Sequence, residues 1–148
     1  MYIYKMMKLF TYLFLINIIY LTPSLAKDIN WSSVGENKIS TVKVFINKAT
    51  IRSSPDAQKV VWWQLDSYES KMPTNDYNIY SNISKSEGDC LRDRRKDLSV
   101  VYYDQKMGKG NKVLVQKKFI EKWIHDEPDS INFKTLRIVC TLAEKKIK

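Results

Sequence analysis

The stretch from residue 87 to residue 110, EGDCLRDRRKDLSVVYYDQKMGKG, constrains this chain more than any other. It carries Cys90, one of two cysteines, and the densest run of positive charge, Arg92, Arg94, Arg95 and Lys96. A run rich in β-branched and aromatic residues follows at 98–103, and then the turn Met107-Gly108-Lys109-Gly110. Such a succession reads as two consecutive strands at the centre of a sheet. Glycine permits the positive φ that a tight hairpin needs. Val100 and Tyr102 share one face of the first strand, and Val101 and Tyr103 share the other, so that strand should be covered on both sides.

The rest of the chain supplies the partners. Lys5 and Lys8 precede an apolar stretch at 9–21, and Ser24 and Ala26 hold the two selective positions of a small-x-small site. This reads as a secretory leader, 1–26, cleaved after Ala26, followed by one domain, 27–148. The leader's roughly thirteen apolar residues fall short of the ~20 that span a bilayer. No cysteine follows the site, so no lipid attachment is expected there. The expected destination is the periplasm or the medium.

Strands are expected at 28–34, 40–46, 58–66, 77–90, 98–104 and 112–119, with a turn at 35–37 and a short turn or bulge at 47–52. In the third strand Trp62 and Trp63 point to opposite faces. One should be core, and the other covered by a helix, a loop or a partner. Trp123 is expected to plug a loop at 121–129. Asp129 or Ser130 can cap a helix running to about residue 145. Phe133, Leu136, Val139, Cys140 and Ala143 recur at three- and four-residue steps and form one apolar stripe. Strands come first and a helix last, so the class is α+β.

Two cysteines in an exported chain point to one disulfide, Cys90 to Cys140, with free thiols or an intermolecular bridge as alternatives. Closing a loop of about fifty residues stabilises a fold by ~4 kcal/mol. Two cysteines and one histidine lack zinc-ligand spacing, so no metal is expected. His125 lies in an acidic loop with Asp126, Glu127 and Asp129 and reads as solvated. Nothing nominates a nucleophile with its base, and MGKG lacks the spacing of a phosphate loop. No enzyme and no cofactor is therefore expected.

The net charge is +9, and about +7 remains once Lys5 and Lys8 are removed, which biases the domain towards anionic partners. Lysine outnumbers arginine, and no nucleic-acid motif is present. Arg92, Arg94, Arg95 and Lys96 form the best binding candidate, set against Asp93 and Asp97 in a solvated turn or strand end. Exposed aromatics or an unpaired edge strand would also suit a homodimer.

The ordered landmarks resemble a known family. They open with Trp31, Val34 and Gly35, then a Val-Phe-Ile strand at 44–46, Ile51-Arg52 and a Val-Trp strand at 61–63. Asp89-Cys90 follows with Arg92 and Arg95 close behind, then Leu98-Ser99, Tyr102-Tyr103 and Met107-Gly108-Lys109-Gly110. Trp123, Pro128-Asp129-Ser130 and Ile138-Val139-Cys140 close the set. In this order they resemble the surface-adhesin protein E family of Gram-negative bacteria. The resemblance implies a curved antiparallel sheet of about six strands with one C-terminal helix tied to it by Cys90–Cys140. It also implies an exported, non-enzymatic domain that contacts host surface or envelope proteins, in a family where dimers are known. The absent lipid-attachment cysteine departs from the adhesin type. The alternative function is a periplasmic carrier of a small apolar or porphyrin-like ligand, lined by Trp62 or Trp63 and Tyr103.

Overall fold

Alternating burial along the middle of the chain produces a single antiparallel sheet. The computed structural model describes residues 30–37, 39–55, 58–74, 76–116 and 122–147. The leader, its cleavage site, residues 28–29 of the first expected strand and residues 117–119 of the last lie outside them. Seven strands are present among the described residues: β1 Ser32–Asn37, β2 Val42–Ile46, β3 Arg52–Ser53, β4 Lys59–Tyr68, β5 Ser81–Asp89, β6 Arg94–Tyr103 and β7 Lys112–Gln116. The order across the sheet is β1-β2-β4-β5-β6-β7. The short β3 pairs with β4 beyond the end of β2, after a 3-10 turn at Lys48–Thr50. One helix, α1 Ile131–Ile147, completes the domain. The expected α+β class, the antiparallel sheet and the C-terminal helix are all present.

The helix starts where its sequence allows. The Ser130 hydroxyl accepts from the backbone N–H of Phe133 and so caps the first turn. The apolar stripe then faces the sheet. Leu136, Val139, Cys140 and Ala143 pack with Val34, Val44, Ile46, Ile51, Val60 and Trp62 to form the main core. Fully burying a side chain such as Leu136 or Val139 contributes roughly 1.5–3 kcal/mol. Cys90, just past β5, is bonded to Cys140 on this stripe. At the far end the ammonium of Lys146 donates to the carbonyls of Lys48 and Ile51, tying the last turn to the rim of the sheet.

The opposite face is closed more lightly. Leu65 is fully buried there, and the 3-10 turn Lys106–Gly108 covers it. This turn replaces the expected tight hairpin. Met107 takes a positive φ beside Gly108, and the N–H groups of both donate to the hydroxyls of Ser67 and Ser81. Gly108 sits so close to Ile83 that a Cβ would stand 2.8 Å from its Cδ1. At the other edge Gly35 belongs to β1, at a bulge in the β1–β2 register, not to a turn. The chain reverses instead at residues 39–41, where the Asn37 side chain accepts from the N–H groups of Ile39 and Ser40.

Candidate functional site

The basic cluster is built on one buried carboxylate. Asp89 ends β5 and is only 2% exposed. It accepts from the Arg92 backbone N–H at 3.1 Å, from Arg92 Nη1 at 3.1 Å and from Arg94 Nε at 3.2 Å. Burial pushes this carboxyl upward, and the hydrogen bonds from Arg92 and Arg94 outweigh that and hold it below the usual Asp value. Asp93, at φ 47, completes the reversal and pairs with Arg137 of α1 at 3.1 Å.

Strand β6 begins at Arg94, four residues before the expected start, and its alternation splits the cluster between the two faces of the sheet. Arg94 and Lys96 point away from the helix. Trp123 fits against both, with its ring 4.5 Å from Arg94 Cζ and 4.9 Å from Lys96 Nζ. Lys96 also pairs with Glu87 across the strand at 3.7 Å. Arg95 points to the helix face, where Nε and Nη2 meet Asp126 and Nη1 meets Asp97. The segment carrying Trp123 and Asp126 is held by two backbone hydrogen bonds between Arg95 and Ile124. The four cations are therefore ordered by carboxylates and by a ring, and they do not converge on one point. Arg92 is the outermost, with its side chain 62% exposed, and Leu91 beside it is 69% exposed.

The three aromatic candidates are not brought together. Trp62 is fully buried beneath α1. Trp63 and Tyr103 are half-buried on the opposite face, in different strands, with β5 between those strands. His125 is exposed in its loop. Among the described residues no three ligating side chains form a metal site. The sequence reading missed Asp89 as the anchor of two arginines and Asp126 as the partner of Arg95. Asp89 stands three residues before Arg92, the spacing at which a capping Asp accepts from a backbone N–H, and this can be read from sequence. The pairing of Arg95 with Asp126 leaves no local signal.

The family model for surface-adhesin protein E matches residues 31–141, well over half of the chain. The chain belongs to the surface-adhesin protein E family. Its fold is similar to that of protein E from Haemophilus influenzae in several crystal structures. The selenomethionine form aligns with a TM-score of 0.54 at 15% identity, over 82% of this chain and 93% of that one. Protein E from a non-typeable strain aligns with a TM-score of 0.56 at 15% identity, over 85% and 84%. At such identity the likeness establishes the fold. The chain matches no curated protein sequence. The adhesin E family is one of surface or exported proteins, and this chain is adhesin-like. Among the described residues no helix is long and apolar enough to cross a membrane.

Proposed function

We propose that the chain is an exported, non-enzymatic binding domain that meets an acidic segment of a host surface or envelope protein. The contact surface is the outer side of the β5–β6 end: Leu91 and Arg92 at the tip, Arg94 and Lys96 against Trp123 behind them. The observation that carries this reading is the exposed Leu91–Arg92 pair beside cations already fixed by Asp89 and Trp123. Ordering side chains before the encounter lowers the entropy lost on binding. The leader and cleavage after Ala26 remain part of this proposal, as does release without a lipid anchor. The small-ligand alternative draws no support from Trp62, because the helix already covers it.

The test uses R92E and L91D, which leave the Asp89–Arg94 contact in place. Binding of the purified protein to intact host epithelial cells and to an isolated envelope-protein fraction is measured at two salt concentrations. Wild type should bind saturably to one of them and weaken as salt rises, because exposed charges are screened within about 10 Å at 0.1 M ionic strength. Both variants should bind at least tenfold more weakly. Unchanged binding by folded R92E would remove this surface.

A further inference from the structure

The helix covers only part of its face of the sheet. Beyond the main core, where α1 begins, β4, β5 and β6 enclose a cavity of about 190 Å³. Its wall is polar, although it lies against the side of the sheet that carries the core. Asp66 and Tyr68 enter from β4, Ser84 from β5, Asp97 and Tyr102 from β6.

Three features define what this cavity lacks. First, Asp66 forms no ion pair among the described residues. Its carboxyl accepts hydrogen bonds from two neutral amides, that of Gln64 at 2.8 Å and that of Asn82. Second, Arg95 also lines the cavity, but each of its three nitrogens is already engaged by Asp97 or Asp126. One guanidinium thus faces three carboxylates. Third, Ser84 is 4% exposed, lines the cavity and has no hydrogen-bond partner among the described residues. Its hydroxyl opens into the cavity, where it can accept a hydrogen bond from an occupant. The missing component is positively charged and donates hydrogen bonds.

Size restricts it further. Drug-sized sites begin near 300 Å³, so this cavity takes a small group. Two tyrosines on the wall suit an organic cation, whose charge is attracted by aromatic faces. We propose that the cavity binds a protonated aliphatic amine, with the ammonium held by the Asp66 and Asp97 carboxylates and the Ser84 hydroxyl. The amine is either a free small molecule or the side chain of a lysine presented by another protein. The site lies on the opposite face from the Leu91–Arg92 surface and does not depend on it.

The test is a titration of the full folded protein followed by amide and side-chain NMR. The probes are n-butylamine, n-butanol as its uncharged counterpart, sodium chloride at matched ionic strength and a short lysine-containing peptide. n-Butylamine should produce saturable shifts confined to Asp66, Ser84, Asp97, Tyr102 and Asn132 of α1, which also lines the cavity. D66N should weaken it at least tenfold and S84A severalfold, and S84A removes one contact without touching the ion pairs. Saturation by the peptide as well assigns the amine to a partner's lysine. Saturation by n-butylamine alone assigns it to a free amine. Absence of saturable shifts, equal response to n-butanol or sodium chloride, or undiminished binding by D66N would overturn the proposal.

Discussion

A methyl group on Gly88 would stand 2.5 Å from Cδ1 of Leu136. The helix reaches the sheet so closely because β5 offers no side chain at that position. Val60 and Trp62 wall the same spot, each 3.2 Å from the added atom. Leu136 is fully buried and has nowhere to turn. Gly88→Ala should therefore lower stability by about 1–3 kcal/mol, as overpacking of a core does. Urea unfolding measures it. Adding Leu136→Ala should cost less in the G88A background than in wild type, because neighbours that clash are coupled. Additive losses would show that the helix can shift to make room.

Two residues on, the same strand end is bonded to the same helix through Cys90 and Cys140. The residues are 50 apart in sequence. Replacing both with alanine should lower stability by about 4 kcal/mol if the bridge acts by restricting the unfolded chain. Denaturation of wild type with and without a thiol reductant should show the same loss. A loss below about 1 kcal/mol would mean that the apolar stripe seats the helix unaided.

Two carboxylates on neighbouring strands should give opposite pH responses. Asp89 is held below its ordinary value because hydrogen bonds from Arg92 and Arg94 exceed the effect of burial. Its stabilising contribution is present above the ordinary Asp value near 3.9 and is lost as pH falls through its lower folded value. Asp66 is raised, chiefly by burial and further by Asp97, against hydrogen bonds from Gln64 and Asn82 and the charge of Arg95. The folded state keeps this proton longer, so Asp66 costs stability as pH rises from about 3.9 through its higher folded value. Asp66→Asn should then stabilise the protein near pH 7 and change little near pH 3. Asp89→Asn should destabilise it near pH 7 by roughly 1.5–3 kcal/mol, the worth of hydrogen bonds to a charged group. Urea midpoints at the two pH values decide both. Destabilisation of D66N near pH 7 would show that the carboxylate already has a counter-charge.

The contrast between these carboxylates also explains what the sequence could show. The helix stripe from Leu136 to Ala143 and the strand of Val60 and Trp62 were legible because period and burial agree. The start of β6 was not. Arg94, Arg95 and Lys96 look like a solvated turn, and they become strand because Asp89, Asp126, Glu87 and Trp123 neutralise or cover them from elsewhere in the chain. The cavity was hidden for a related reason. Gln64, Asp66, Asn82 and Ser84 alternate as the polar positions of strands with one wet face would, yet they share their face with Trp62. Alternation reports which residues share a face, and it cannot report how far a helix will cover it.

Arg95 and Asp126 are the pair on which the Trp123 segment depends. Arg95 Nε lies 2.8 Å from Asp126, and both side chains are almost wholly buried. Removing one member of such a pair leaves a charge without its partner, so Arg95→Ala should cost about 3–5 kcal/mol. Asp126→Ala leaves Arg95 its bond to Asp97 and should cost less. The double variant should show a coupling of about 1–3 kcal/mol. Arg95→Lys should not restore wild-type stability, because an ammonium cannot meet Asp97 and Asp126 with a planar fork. Amide exchange at Ile124 supplies the local readout, since its N–H donates to the Arg95 carbonyl at 2.7 Å. In D126A that amide should exchange faster while amides in the core of β4 keep their protection. Equal acceleration at both places would mean that the pair holds the whole sheet. No change at Ile124 would mean that the two backbone hydrogen bonds and Trp123 hold the segment without it.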